Sequence, residues 1–159
     1  MGFSIRQMRP ADRATWSNMR AALWPDGTGD EHAKDIDAML AAATGWGFMA
    51  QTHDAAAVGF AEITIRPFAN GCDSRPVPFL EGIWVEPRFR RQGVGALLIE
   101  HVEAFVAARG FREIGSDALI ENHASHAAHR GWGFCERERV IHYRKLLTRT
   151  DGSSSRAAR

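Results

Sequence analysis

No apolar run in this sequence approaches the roughly 18 residues that a bilayer-spanning helix needs. Met1 to Pro10 contains no apolar core and carries Arg6 and Arg9, so it does not read as a secretory leader. Only two cysteines occur, Cys72 and Cys135, with neither C-x-x-C nor metal-ligand spacing. They read as small structural residues of a reduced, cytoplasmic protein. There is one tyrosine, Tyr143, and no internal repeat. Charge of neither sign is in excess: Lys and Arg number 20, Asp and Glu 19, for a formal +1. A nucleic-acid partner would call for a basic surplus, so that partner class is not expected.

What is present is ordinary globular material, with 45% hydrophobic and 25% charged residues in a chain of 159. That length supports one domain with a real core. The domain is expected over residues 1–147, followed by a frayed Ser-containing tail at 148–159.

Phe3–Met8 reads as a first strand. Pro10 and Asp12 open a helix, with Asp12 as its cap and Trp16, Met19, Arg20 and Leu23 at helical spacing. Trp24–Gly29 is dense in turn residues. Asp30 is placed to cap a second helix with an Ile36, Met39 and Leu40 stripe. Strands are expected at Gly47–Thr52, Ala57–Ile65 and Phe79–Val85, the last stopped by Pro87. Val94, Leu97, Leu98, Val102, Phe105 and Val106 mark a helix ended by Gly110. A strand at Phe111–Leu119, a short helix opened by Asn122, and a closing strand pair at Gly133–Glu138 and Val140–Leu146 complete the chain. The order predicts an α/β (α+β) fold, with a mixed central sheet flanked by helices.

The most specific local feature is Arg90-Arg91-Gln92-Gly93-Val94-Gly95-Ala96, between the Phe79–Val85 strand and a helix start. Glycines there permit close backbone approach, and the helix N-terminus behind them is an anion site suited to a pyrophosphate. Arg88, Arg90 and Arg91 add positive charge. A Walker A loop is excluded by the missing Lys-Ser/Thr, and a dinucleotide fingerprint by the missing third glycine. A plain glycine turn ahead of an ordinary helix remains the alternative for this segment taken alone.

With these residues in view, the chain resembles the GCN5-related N-acetyltransferases (GNAT). Arg90-x-x-Gly93-x-Gly95 is similar to their acetyl-CoA motif. Gly82-Ile-Trp-Val-Glu-Pro87 is similar to the strand before it, and Asn122 with Gly133-Phe134 to their second motif. The element order matches that fold over all but the tail. Within the family, Ile5-Arg6-Gln7-Met8, Leu23-Trp24-Pro25, Asn70-Gly71-Cys72-Asp73-Ser74, Phe79-Leu80-Glu81-Gly82-Ile83 and Glu138 to Lys145 resemble the aminoglycoside 6′-N-acetyltransferases.

The resemblance implies a GNAT fold and transfer of acetyl from acetyl-CoA to the 6′-amine of aminoglycoside antibiotics, by direct attack in a ternary complex. It implies cofactor contacts at Ile83, Val85, Arg91, Gln92, Gly93, Val94, Gly95, Ala96 and Asn122. Substrate contacts are implied at Trp24, Glu81, Asp117 and Glu138. Carboxylates suit a polycation, and Trp24 can stack on a sugar or pack over a cation. Asp117 and Glu81 are the candidates for taking the amine's proton, Asp117 favoured, with Glu81 orienting the ammonium. Gly27 and Phe68 stand where His and Tyr occur in similar chains. His129 stands where many members carry a tyrosine acid. His123, His126 and His129 recur every third residue, but no clear fourth ligand accompanies them, so no metal is expected. Similar chains are homodimers, and Val140–Lys145 is a strand able to exchange between copies. Two other readings remain open: the same fold acting on a polyamine or protein lysine, and a non-catalytic acetyl-CoA-binding regulator.

Overall fold

A computed structural model describes residues 2–42 and 44–147. The tail expected at 148–159 lies outside the described residues. Five strands form one sheet in the order β1-β2-β3-β4-β5: β1 (Phe3–Gln7), β2 (Gly45–Thr52), β3 (Ala57–Arg66), β4 (Val77–Val85) and β5 (Gly115–Ser116). The first four are antiparallel in succession, whereas β5 runs parallel to β4. The helices are α1 (Arg13–Leu23), α2 (Gly29–Ala41), α3 (Val94–Ala107) and α4 (His123–Gly131).

Alternation along the strands sends side chains to two faces, and each face has its own core. On one, Leu98, Val102 and Val106 of α3 pack against Phe48, Ala61 and Ile63. On the other, Trp16, Met19 and Ile36 of α1 and α2 cover Met49 and Phe60. Each such side chain, fully buried, contributes roughly 1.5–3 kcal/mol. Gly47 is required beneath α1, because a Cβ there would overlap the Trp16 ring.

Several local expectations need correction. Asp12 stands at the α1 N-cap but does not cap it. Its carboxylate turns back to Arg6, at 2.7 and 2.8 Å, and to the Arg9 N–H at 2.8 Å. Thr28, not Asp30, caps α2. Its hydroxyl accepts from the Glu31 N–H at 3.2 Å, and Glu31 accepts the Thr28 N–H at 2.8 Å, a reciprocal capping box. The strand expected at Phe111–Leu119 reduces to Gly115–Ser116. The closing pair at Gly133–Glu138 and Val140–Leu146 is not strand. A strand needs a neighbour for its N–H and C=O groups, and among the described residues the arm pairs with no strand. Ile141 and Tyr143 are 77% and 91% exposed.

One irregularity positions the site. In the β3–β4 pairing, Ile63 lies opposite Leu80 and Glu62 opposite Gly82, so Glu81 has no partner. It is a β-bulge. Leu80, Ile83 and Val85 consequently pack on the same α3 core although Leu80 and Ile83 are three residues apart, while Trp84 packs on the other.

Charge is also buried under α1. Glu62, 1% exposed, accepts from Arg20 at 2.7 Å and from the Trp16 indole N–H. Burial holds the Glu62 carboxyl above its ordinary range, and the Arg20 charge opposes that. Removing one partner of such a pair is costly, roughly 3–5 kcal/mol. Arg20→Met is therefore expected to lose stability of that order in urea unfolding at neutral pH, and Arg20→Met with Glu62→Met to lose much less. With Arg20 gone, burial outweighs the remaining Trp16 hydrogen bond at Glu62, so the native state binds the proton more tightly than the unfolded chain. The stability of Arg20→Met then holds below about pH 4, the unfolded carboxyl value, and falls as pH rises through the raised native value. A flat pH dependence of its urea midpoint would contradict this.

Candidate active site

β4 and β5 pair only at Phe79–Gly115 and Leu80–Ser116, and then part. The next residue on each strand is an acid, Glu81 and Asp117. Glu81 is half-buried and already engaged. Arg66 at the end of β3 forks onto it, with Nη2 2.5 Å from Oε2 and Nε 2.9 Å from Oε1, and the Thr64 hydroxyl donates to Oε1. The guanidinium also lies 3.5 Å from the Phe79 ring centre. The hydrogen bond to Glu81, with the Glu81 and Asp117 charges, holds Arg66 above its ordinary pKa. Asp117 is exposed and forms no hydrogen bond to another described residue.

Beside Glu81, a cleft of about 630 Å³ opens between α1, α2 and the sheet. Arg20 and Glu62 form its floor, Trp24 a wall, and Glu31 and Asp35 part of its rim. Trp24 is seated by contacts on several sides. A Cβ on Gly82 would come within 2.5 Å of its ring, so the indole lies directly on that glycine. Arg20 stacks 4.8 Å from the ring centre, and the His32 Nε2 lies 3.1 Å from the Trp24 carbonyl. Arg20 also reaches Asp35 at 2.7 Å. Gly27 has a steric reason here: a Cβ would meet the His32 imidazole at 2.7 Å. The imidazole of position 32 thus fills the space that a side chain at 27 would take. Phe68 is exposed outside the cleft.

On the other side of the parting strands lies the glycine segment. Gly93 caps α3 with a φ of 86°, and Arg91 also has a positive φ, 62°. No side chain caps the first turn of α3, so its N–H groups point outward, as an anion would require. Gly95 also has a packing reason: a Cβ there would lie 2.7 Å from Trp132, so the missing side chain makes room for the indole that follows α4. Arg90 is committed to structure through the Val85 carbonyl at 2.9 Å, and the Gln92 side-chain amide to the Arg88 carbonyl at 2.8 Å. Arg91 is exposed. Because β5 stops at Ser116, the Ile83–Val85 stretch has no strand on that side. The loop N–H groups and this open edge together fit an extended, phosphate-bearing cofactor with amides along its length. Asn122 caps α4, its Oδ1 accepting from the Ser125 N–H at 3.0 Å.

The α4 histidines go to separate partners. His126 Nε2 lies 3.0 Å from the Leu119 carbonyl. His129 Nδ1 is 2.8 Å from the Ser125 carbonyl, an acceptor only, so in the neutral ring Nδ1 carries the proton. Its Nε2 then accepts from the Ser116 hydroxyl at 2.8 Å. Among the described residues, no group of three or more potential ligands could hold a metal ion. Nor is any described helix long and apolar enough to cross a membrane.

The structure thus brings Trp24 and Glu81 into one cleft and places Asp117 beside Arg66 and Glu81. Ile83, Val85 and the segment 91–96 lie on the far side of the parted strands. It does not bring Glu138 there: that residue sits exposed on the C-terminal arm. Sequence reading missed Arg66, Arg20, Glu62 and Ser116. Only Glu62 carried a signal, an acid inside an apolar strand; the others needed the sheet register.

Residues 13–134 match the Acetyltransferase (GNAT) family. The aminoglycoside N(6′)-acetyltransferase type 1 of Stenotrophomonas maltophilia is 44% identical over 145 residues, 91% of this chain and 94% of that protein. The solved structure of AAC(6′)-Iy, in complex with the bisubstrate analogue CoA-S-monomethyl-acetylneamine, superposes with a TM-score of 0.87. It is 42% identical and covers 92% of this chain and 100% of its own. The aminoglycoside 6′-N-acetyltransferase AAC(6′)-Ih from Acinetobacter baumannii gives 0.86 at 34% identity, with 92% and 100% covered. Sequence and fold agree across nearly the whole described chain, and the chain belongs to the GNAT acetyltransferase family.

Proposed function

We propose that this protein is an aminoglycoside 6′-N-acetyltransferase that uses acetyl-CoA. The observation that carries the reading is the position of Trp24 and Glu81 in one acidic cleft, with the Asp117 charge acting on the Arg66 that clamps Glu81, across the parted β4 and β5 from an uncapped helix N-terminus. A polycationic acceptor suits the acidic cleft, and an anionic cofactor suits the loop. The two ligands thereby approach from opposite sides of one gap.

Acetyl-CoA, when bound, supplies an acetyl group on a thiolate leaving group. Val94, Gly95 and Ala96 would offer backbone N–H groups to its phosphates, with Arg91, Gln92 and Gly93 shaping the loop. Ile83 and Val85 would pair along its arm, and Asn122 would close the far side. Trp24 would stack against a sugar ring. Glu81 has both directions of Oε1 filled and one direction of Oε2 open, enough to hold a single N–H. Asp117, without a hydrogen-bond partner among the described residues, would accept the amine's proton. On the opposite face, Ser116 Oγ and His129 Nε2, 2.8 Å apart, would hold and relay a proton toward the leaving thiolate, balancing the one taken at Asp117.

The exposed arm supports a homodimer. Ile141, Tyr143, Leu146 and Leu147 are 75–91% exposed, so a second copy of the chain is the natural partner for this strand-forming segment. Glu138 would then lie in the exchanged arm, within reach of the partner's cleft. Two unpaired cysteines fit a cytoplasmic setting.

A substrate panel tests the activity. CoA release is expected with kanamycin A and tobramycin, and not with paromomycin, which carries a hydroxyl at the 6′ carbon. Release with spermidine or a lysine peptide alone would move the assignment to another amine, and release with no amine would leave a binding module. Asp117→Asn is expected to lower kcat about 100-fold or more while leaving acetyl-CoA affinity by calorimetry nearly unchanged. In sedimentation, the wild type is expected as a dimer and Ile141→Asp with Tyr143→Asp as a monomer.

A further inference from the structure

An ammonium cannot attack a thioester, and an aliphatic amine is almost wholly ammonium at neutral pH. A carboxylate that binds the amine makes this worse, because a nearby negative charge favours the protonated form. The cleft is rich in carboxylates, so substrate affinity and nucleophile formation pull in opposite directions. The structure contains a device that separates them at one carboxylate.

We propose that Arg66 is a positioning residue of the acetyl transfer: it clamps Glu81 so that one acceptor direction remains for the acceptor amine, and its fixed charge cancels the carboxylate's pull toward ammonium. The inference rests on the acetyltransferase reading above. Three observations carry it. The fork of Arg66 onto both Glu81 oxygens, with Thr64 filling the rest of Oε1, fixes the carboxylate's orientation. The Phe79 ring, 3.5 Å from the guanidinium carbon, holds the cation against displacement by substrate. Arg66 ends β3 opposite Val77, and its side chain reaches along β4 to Glu81, the residue after the last β4–β5 pair, so an amine bonded to Glu81 sits next to the guanidinium.

The contrast with the rest of the cleft sharpens the role. The charged and titratable groups that line the same opening are Glu62 and Arg20 at the floor and Glu31, His32 and Asp35 from α2, while Asp117, beyond β5, is close enough for its charge to act on Arg66. Arg20 already neutralises Glu62 and engages Asp35. With Arg66 on Glu81, Asp117 is left as the unpaired carboxylate nearest the parted strands. The amine held at Glu81 therefore meets a neutral pair on one side and a single free proton acceptor on the other. Arg66 itself stays charged across any working pH, because its bond to Glu81 holds its pKa above an already high value.

The test is the pH profile of kcat/KM for kanamycin A, in wild type, Arg66→Gln and Arg66→Lys, with kcat/KM for acetyl-CoA measured alongside. In Arg66→Gln, Glu81 acts as an uncompensated carboxylate, and the acidic limb of the kanamycin profile is expected to move up by about one pH unit. Arg66→Lys keeps the charge without the fork. It is expected to restore the limb to within a few tenths of a unit while kcat stays below wild type. A merely structural role would lower rates in both variants and leave the limb in place, and that result overturns the proposal. An unshifted limb in Arg66→Gln at full activity overturns it as well. Absence of wild-type turnover on kanamycin A would instead remove the acetyltransferase reading, and the proposal with it.

Discussion

The site depends on one extra residue in one strand. Glu81 has no partner on β3, and the bulge it forms flips the side-chain alternation between Leu80 and Ile83. Bulges bend a strand and end its pairing on one side. Here β4 leaves β5 immediately after Leu80 and Ser116. The bend therefore opens the gap, aims the Glu81 carboxylate toward β3's Arg66, and turns Gly82 up beneath Trp24. A regular β4 would keep Leu80 and Gly82 on one face, and the indole would lose its seat. Substrate wall, carboxylate and open cofactor edge all descend from the same irregularity.

The second organising feature is the pairing of charge. Arg20 answers Glu62 and Asp35, and Arg66 answers Glu81. A buried pair of this kind adds little net stability over apolar packing, because desolvation offsets the attraction. Its value here is geometric. Arg20 stacks on Trp24 while bonding Glu62, and Arg66 stacks on Phe79 while forking Glu81. Each guanidinium uses its planar face and its donor edge at once, which an ammonium cannot do. The near-zero net charge of the chain is thus the sum of locally matched pairs, with the arginines near the α3 N-terminus set apart from the acids that line the cleft.

Much of this was legible in the sequence. The apolar stripe from Val94 to Val106 defines α3, and the glycine segment before it marks the anion-binding turn. The period-two runs place β2, β3 and β4 to within a few residues. What was not legible has specific physical causes. Gly95 reads as a glycine of the cofactor loop, yet its side-chain position also faces Trp132, far along the chain and visible only once α4 is docked. Asp30 looks like a helix cap because it precedes an apolar stripe, but the Thr28–Glu31 reciprocal bonds satisfy two donors where Asp30 would satisfy one. The arm after Gly133 has strand propensity and no strand, because propensity acts only where a neighbouring backbone exists. Arg66 falls just past the strand expected at Ala57–Ile65. Its role depends on β3–β4 register, which no local pattern encodes.

The end of β5 also bears on the proposed proton path, since Ser116 is the strand's last residue and Asp117 the one after it. Ser116 points to α4 and bonds His129, whose other nitrogen is fixed by the Ser125 carbonyl. Asp117 follows just past the strand, where its charge acts on Arg66. In the proposed reaction these two neighbours would serve different protons, and both remain within one residue of the gap. The shortness of β5 is what makes this possible: a longer pairing with β4 would close the gap, and no pairing at all would leave Ser116 and Asp117 without a fixed orientation.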